Sequence, residues 1–178
     1  ARVDRYMEEY QFGEAQRVIY DFLWSEYCDW YIEMSKIRMR SEDGADSSPL
    51  PVLAYVLEGV LRMLHPFMPF ITEEIWTALV DALPDQAHRP EALIVASYPR
   101  PDSALIDEDA EAEVGAVMDV IRAVRNLRAE FRIPAGESVP ATVDAPELGS
   151  VVKDETSVIV ALARVEPLVV GPGGGDRS

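Results

Sequence analysis

The chain has 178 residues, of which 48% are apolar and 27% are charged, a composition typical of globular rather than disordered proteins. Its 16 Lys and Arg are outnumbered by 32 Asp and Glu, and the net charge of −16 excludes a generally basic nucleic-acid coat and disfavours anionic membranes. The single cysteine, Cys28, excludes an internal disulfide and a cysteine-based zinc site. A local basic patch on an acidic body is still allowed.

Nothing in the sequence predicts a membrane span or an export signal. Glu58, Arg62 and His65 interrupt the longest apolar stretch, so no run reaches the roughly 18 residues of a membrane helix. The N-terminus has neither a start methionine nor an apolar signal core. We therefore expect a piece of a longer cytoplasmic protein.

Two long amphipathic helices are predicted in the first third of the chain. Apolar residues recur at helical spacing over 12–39, and the acidic stretch 41–49 then predicts an exposed loop. A second apolar stripe covers 53–64 and stops at His65-Pro66-Phe67-Met68-Pro69, where two prolines interrupt the helix. This segment predicts a rigid corner between two helices.

Two further helices are predicted before residue 134. Thr72 is expected to cap the third, with Glu73 and Glu74 in its first turn, and the proline-rich segment 84–103 is expected to be a surface connection. The fourth begins at the acidic residues after Asp107 and ends at Pro134-Ala135-Gly136. Its predicted core stripe is Val114, Val117, Met118, Ile121 and Val124.

The tail has two interpretations. Residues 139–143 predict a short strand, and 158–163 are β-branched and favour another strand by propensity. The alternative is a helix over 147–163 followed by a strand over 165–170. The glycine-rich end, 172–178, predicts a flexible tail.

Together these elements predict a mainly α fold, an antiparallel helix bundle with a small C-terminal α/β appendage. The predicted domains are a helical bundle at 1–134, an appendage at 135–171 and a tail at 172–178.

Three blocks of the sequence resemble one family. They are Phe12–Glu33 with its Cys-Asp-Trp-Tyr-Ile-Glu run, Leu64–Trp76 with the corner, and Ile121–Glu130 with its arginines. All three are similar to the anticodon-binding region of valyl-tRNA synthetases, class I aminoacyl-tRNA synthetases. The second block is shared with the isoleucyl and leucyl enzymes, whereas the first points to the valyl branch.

The resemblance implies a function and a tail structure. It implies recognition of the valine tRNA anticodon stem-loop by one domain of a ligase that attaches valine to its tRNA with ATP and magnesium. The catalytic and editing domains of the same chain are then the other partners, and DNA is not one. It also implies strand, helix, strand for the tail, with 147–163 helical.

The sequence contains no catalytic signature of its own. The H-I-G-H and K-M-S-K-S signatures of the family's ATP site are absent, and Met34-Ser35-Lys36 lacks the flanking residues of the second signature. No glycine-rich phosphate loop is present outside the tail. We therefore expect no catalytic residue, no cofactor and no metal site in this part of the enzyme.

The candidate tRNA-binding residues are basic side chains on two predicted helices. Arginines at i, i+3, i+6 and i+10 of the fourth helix fall within a stripe of about 120°, and arginine forks suit phosphates and guanine edges. Cations also end the first long helix, where the helix dipole alone can explain at least one. The candidates are Arg122, Arg125, Arg128, Arg132, Lys36, Arg38 and Arg40, with Arg2 and Arg5 as weaker ones.

Aromatic residues can stack on unpaired bases, although at helical spacing most aromatics are core. Trp30 and Trp76 are expected to be core, and His65, Pro66 and Pro69 to be structural. The remaining aromatic candidates for stacking are Trp24, Tyr31, Tyr6, Tyr10 and Phe12.

Two alternative functions accompany the main prediction. A structural or protein-interaction bundle would use the arginines in internal ion pairs. The second alternative is the corresponding domain of an isoleucyl-tRNA synthetase, and the run Cys28-Asp29-Trp30 argues against this alternative.

Overall fold

The computed structural model describes residues 2–40, 48–83, 90–144 and 149–171. The chain divides into two compact units, residues 1–103 and 104–178. The described part is mainly helical with a two-stranded sheet, so the mainly α prediction with a strand-containing C-terminal part is confirmed. The antiparallel arrangement and the boundaries at 134 and 171 stay predictions, and the tail at 172–178 lies outside the described residues.

The first unit is built from helices. Within the described residues they are α1 (Arg2–Glu8), α2 (Phe12–Phe22), a π-helical segment (Leu23–Ile32), α3 (Glu33–Arg38), α4 (Leu50–Leu64), α5 (Pro69–Ala82) and a 3₁₀ turn (Leu93–Val95). The long helix predicted over 12–39 is present, but its middle ten residues take the wider π turn. Such segments are rare and are frequently found at functional sites. Of the predicted loop at 41–49, residues 41–47 lie outside the described residues.

The corner between α4 and α5 departs from the prediction in one respect. Helix α5 begins at Pro69, three residues before Thr72, with Met68 as the N-cap residue. Proline suits this first position because its fixed φ matches the helix and its missing N–H would have no partner there. The prediction that Thr72 caps the helix, with Glu73 and Glu74 in the first turn, is therefore wrong.

Clusters of buried side chains pack together in the described part of the first unit. Ile19 of α2 packs with Val60 and Leu64 of α4, and partly buried side chains of α1 and the corner cover them. Leu61 of α4 packs with Trp76 of α5 and with Leu93. Leu93 is 2% exposed, so the prediction that 84–103 is only a surface connection is wrong at this residue; 84–89 lie outside the described part.

The second unit combines one long helix with a small α/β element. After a 3₁₀ turn (Ser103–Leu105) come α6 (Glu108–Glu130), β1 (Val139–Val143), α7 (Gly149–Asp154), α8 (Thr156–Ala163) and β2 (Val165–Val170). The Asp107 side chain caps α6 by accepting a hydrogen bond from the Ala110 N–H at 3.0 Å. Five acidic residues at 107–113 lie near the positive end of the helix dipole, where their charges are stabilising.

Strands β1 and β2 pair in parallel, with Val139 opposite Val165. Helices α7 and α8 connect them, so the strand, helix, strand interpretation of the tail is confirmed, with the helix divided at Glu155. Burial explains why the β-branched segment is helical, since Val158, Ile159 and Ala163 face the core. That core is completed by Val117, Met118 and Ile121 of α6, by Val152, and by Val165.

Across the described ranges, no helix is both long enough and apolar enough to cross a membrane.

Candidate nucleic-acid interface

The four predicted arginines of α6 and its C-terminal end do not share one environment. Arg122, Arg125 and Arg132 are exposed, whereas Arg128 is 8% exposed and is the buried charged residue of this helix. The stripe of about 120° predicted for them therefore spans both the surface and the interior edge of α6.

The Arg128 guanidinium is used inside the protein. Its two terminal nitrogens donate to three backbone carbonyls, those of Arg164 at 3.0 Å, Pro134 at 2.9 Å and Glu137 at 2.7 Å. A buried guanidinium must have its donors satisfied, and here three carbonyls share that task. Arg128 thus joins the C-terminal end of α6 to the 134–137 turn and to the end of α8, and has a structural role.

Arg125 and Arg122 combine exposure with local contacts. The Arg125 Nε donates to the Leu162 carbonyl of α8 at 3.0 Å. Arg122 forms an exposed ion pair with Asp119 at 3.0 Å, one helical turn away. Exposed pairs of this kind contribute little to stability, so they hold a guanidinium only loosely against a competing phosphate.

Arg132 stands where a helix normally has glycine. Helix α6 ends in a Schellman motif, in which the Ile133 N–H donates to the Arg128 carbonyl at 2.9 Å and the Arg132 N–H to the Ala129 carbonyl at 3.1 Å. Arg132 occupies the left-handed position of this motif with φ of 53°. A non-glycine residue there costs about 1 kcal/mol.

A fifth arginine, Arg164, was not among the predicted candidates. It is exposed and ends α8 in the left-handed conformation, with φ of 53° and ψ of 57°. Its carbonyl accepts from Arg128 and, at 3.4 Å, from the Val139 N–H. In the sequence, Arg164 could have been recognised as a basic residue between a helix and a strand. That recognition requires 158–163 to be predicted as helical.

The basic residues at the end of α3 lie in the first unit. Lys36 forms an ion pair with Glu33 at 2.5 Å, and Arg38 and Arg40 are exposed. Of the weaker candidates, Arg2 is exposed and Arg5 lies over the Tyr6 ring, 5.1 Å from its centre.

The aromatic candidates separate into exposed and packed rings. Tyr10 is 81% exposed, adopts φ of 57° after α1, and makes an edge-to-face contact with Phe12. Trp24 is also exposed and contacts Tyr20. Tyr31 is half-buried and stacks on Tyr27. Trp30 and Trp76 are buried.

Hydrogen bonds tie the corner together. The Thr72 hydroxyl donates to the Met68 carbonyl at 2.7 Å, so we assign the proton of the 2.8 Å contact between His65 Nδ1 and Thr72 Oγ1 to the histidine. Glu73 accepts from the Leu93 N–H at 2.8 Å. In the described residues, no group of three or more His, Cys, Asp or Glu is placed to hold a metal ion.

Two neighbouring groups in the π-helical segment have perturbed acidity. Desolvation by burial is the main cause that raises the pKa of the Cys28 thiol, and the charge of Asp29 adds to it. Desolvation also raises the pKa of Tyr27, whose hydroxyl donates to the Leu53 carbonyl of α4 at 2.8 Å. Both groups are therefore neutral at pH 7, as structural groups in this helix.

Comparison with known sequences places this architecture in a family. The family described as "Anticodon-binding domain of tRNA ligase" matches residues 1–143. The chain belongs to this family of tRNA ligase anticodon-binding domains.

The relatives are more specific. "Valine--tRNA ligase" from Dehalococcoides mccartyi (strain CBDB1) is 46% identical over 97% of this chain and 19% of the relative. The proteins of that name from Bacillus cereus (strain ATCC 10987 / NRS 248) and Thermosynechococcus vestitus are 43% and 41% identical over 82% and 94% of this chain. The resemblance to the valyl branch is confirmed, and the isoleucyl alternative is not favoured. This chain spans 15–19% of the length of such relatives.

Proposed function

We propose that this chain binds the anticodon stem-loop of valine tRNA as one domain of a valine–tRNA ligase. The observation that carries the proposal is the family match over residues 1–143, with valine–tRNA ligases as relatives. The exposed arginines at the C-terminal half of α6 supply a chemistry that suits RNA. The proposed phosphate contacts are Arg122, Arg125 and Arg132, whereas buried Arg128 is left out.

The division of labour follows from side-chain chemistry. A guanidinium presents several donors in a planar fork that fits phosphate oxygens, so the arginines grip the backbone of the stem-loop. Unpaired anticodon bases have exposed faces that stack on aromatic rings. Tyr10 is the most exposed aromatic candidate of the first unit, so it is the proposed stacking residue.

The acidic body has a role in selectivity. The net charge of −16 repels nucleic-acid backbones wherever the arginines do not face them. Unrelated RNA, which gains only the salt-sensitive phosphate term, is therefore held weakly. Neutralising exposed acids such as Asp21 and Glu26 should raise affinity for an unrelated hairpin; unchanged affinity would contradict this role.

The remaining features of the proposal belong to the whole ligase. Its catalytic domain, elsewhere in the same polypeptide, activates valine with magnesium-ATP as an adenylate, and an editing domain accompanies it. The anticodon domain itself needs no cofactor. We also propose the antiparallel helix arrangement of the family for this domain, and the cytoplasm as the place of action.

One set of observations favours a second candidate, a structural bundle that makes no RNA contact. Arg128 donates to three backbone carbonyls, and Arg122 and Lys36 pair with acids on their own helices. In that case these basic residues stabilise the protein through their internal contacts and bind no RNA.

A binding titration separates the two candidates. The chain is titrated at low salt with the anticodon stem-loop of a valine tRNA and with a hairpin of replaced anticodon. Arg122→Ala should weaken binding several-fold and reduce the slope of log K against log salt by about 0.7–0.9, the effect of one phosphate contact. Arg17→Ala is the matched control, because Arg17 is also exposed and pairs with an acid one turn away, Glu14.

The outcomes are distinct. Preference for the valine hairpin, reduced in Arg122→Ala and retained in Arg17→Ala, supports anticodon recognition through α6. Equal weak binding to both hairpins contradicts recognition by this chain alone. Absence of binding to either favours the structural bundle.

A further inference from the structure

We propose that Arg164 is a further RNA-binding residue and that it forms one phosphate site with Arg132. Both arginines adopt the left-handed conformation at the C-terminal end of a helix, α8 and α6 respectively. This inference rests on the proposed function for its ligand, the phosphate backbone of RNA.

Arg128 contacts both of the turns that carry these arginines. Its backbone carbonyl accepts the Ile133 N–H and so closes the turn that holds Arg132. Its side chain donates to the carbonyl of Arg164. One buried residue thus contacts both turns, and the helix ends that carry the two exposed guanidiniums meet at it.

The backbone of each arginine is fixed while its side chain is available. The Arg132 N–H donates within the Schellman motif, and the Arg164 carbonyl accepts two hydrogen bonds. Both side chains are exposed, and within the described ranges neither forms an ion pair or a side-chain hydrogen bond. A fixed backbone with an unengaged cation is an arrangement suited to binding an external anion.

The conformation gives an independent reason to look for a function. At both positions glycine would be favoured by the backbone, and residues held in such conformations cluster at binding sites. The helix dipoles favour cations at the C-terminal ends of α6 and α8. A lysine or arginine within the last turn of each helix would satisfy that preference without the left-handed conformation. A ligand for the guanidiniums explains why arginine occupies both positions.

Acidic residues near the site set a limit on its strength. Glu137 and Glu166 lie in the 134–137 turn and in β2, close in sequence to the two turns. Their charges oppose an RNA phosphate, so Glu166→Gln is expected to raise affinity.

The test uses glycine, which the backbone accepts. Arg164→Gly and Arg132→Gly, made in the full 178-residue chain, should unfold at an equal or higher denaturant concentration than the unmodified chain. Each should bind the valine anticodon stem-loop several-fold more weakly at low salt, with the log K against log salt slope reduced by about 0.7. Arg164→Lys keeps the charge and should retain most of the slope. Lys153→Ala, which removes another exposed cation of the same unit, is the control.

The possible results separate this inference from the proposed function. If the unmodified chain binds the hairpin and Arg164→Gly binds with the same affinity and slope, the site is refuted and the proposed function stands. An equal loss of affinity in Lys153→Ala also refutes the site, because the effect would then not be specific to Arg164 and Arg132. If the unmodified chain does not bind, both proposals fail.

Discussion

The contacts of Arg128 make a quantitative prediction about the second unit. Arg128→Ala removes three hydrogen bonds from a charged donor to the carbonyls of Pro134, Glu137 and Arg164. Such bonds contribute about 1.5–3 kcal/mol each, so their sum is an upper bound. The Arg164 carbonyl keeps its bond from the Val139 N–H, and the 134–137 turn is exposed, so water is expected to replace part of what the Pro134 and Glu137 carbonyls lose. We expect a loss of about 3–4 kcal/mol in the free energy of unfolding.

Hydrogen exchange measured by mass spectrometry tests this prediction within the second unit. Peptides covering β1 and β2 report the opening that Arg128 resists, and a loss of 3 kcal/mol corresponds to roughly hundredfold faster exchange. Arg128→Lys retains the charge without the planar fork and should lose about 2 kcal/mol. Lys153→Ala, an exposed change in α7, should stay within about 0.5 kcal/mol of the unmodified chain.

The result that refutes the reasoning is specific. If Arg128→Ala accelerates exchange in β1 and β2 no more than Lys153→Ala does, the three carbonyl contacts do not hold the unit together. Arg128 would then return to the set of residues available for RNA.

Two further predictions concern the first unit. Thr72→Val removes the acceptor of His65 Nδ1 at nearly constant volume and should lower the free energy of unfolding by about 1–2 kcal/mol, whereas Thr72→Ser should lower it less. Urea unfolding followed by tryptophan emission measures both variants. A Thr72→Val variant as stable as the unmodified chain would contradict the assignment of the proton to His65. The raised pKa of Cys28 means less thiolate at pH 8, so iodoacetamide should alkylate the folded chain more slowly than the urea-unfolded chain. Equal rates would contradict the raised pKa.

The same pKa directions give the sign of the alkaline stability. Tyr27 and Cys28 bind their protons more tightly in the folded state, so their contribution is present below their unfolded pKa values and is lost as the pH rises through the folded ones. Stability should therefore decline in the alkaline range.

Much of the helical organisation was readable from periodicity. The stripe at 53–64 predicted α4, and Asp107 followed by acids predicted the start of α6, because repeating contacts on one face and local capping leave a short-range signal. The corner after α4 was readable from its prolines. The family was predicted from the three blocks that resemble valyl enzymes.

Other features depended on partners distant in sequence. Leu93 is core only because Leu61 and Trp76 meet it, and the β-branched segment at 158–163 is helical only because its buried face packs in the second unit. No local preference reports a contact that the rest of the chain supplies.

The sequence by itself determined the amphipathic helices such as α4, the acidic charge and the family, since these follow from spacing, composition and motifs. Only the tertiary structure decided which arginines are buried and which are exposed. Helical spacing placed Arg125, Arg128 and Arg132 on one stripe, but the carbonyls that bury Arg128 come from the 134–137 turn and α8. Those contacts occupy the Arg128 guanidinium, whereas the side chains of Arg132 and Arg164 are exposed at the C-terminal ends of α6 and α8.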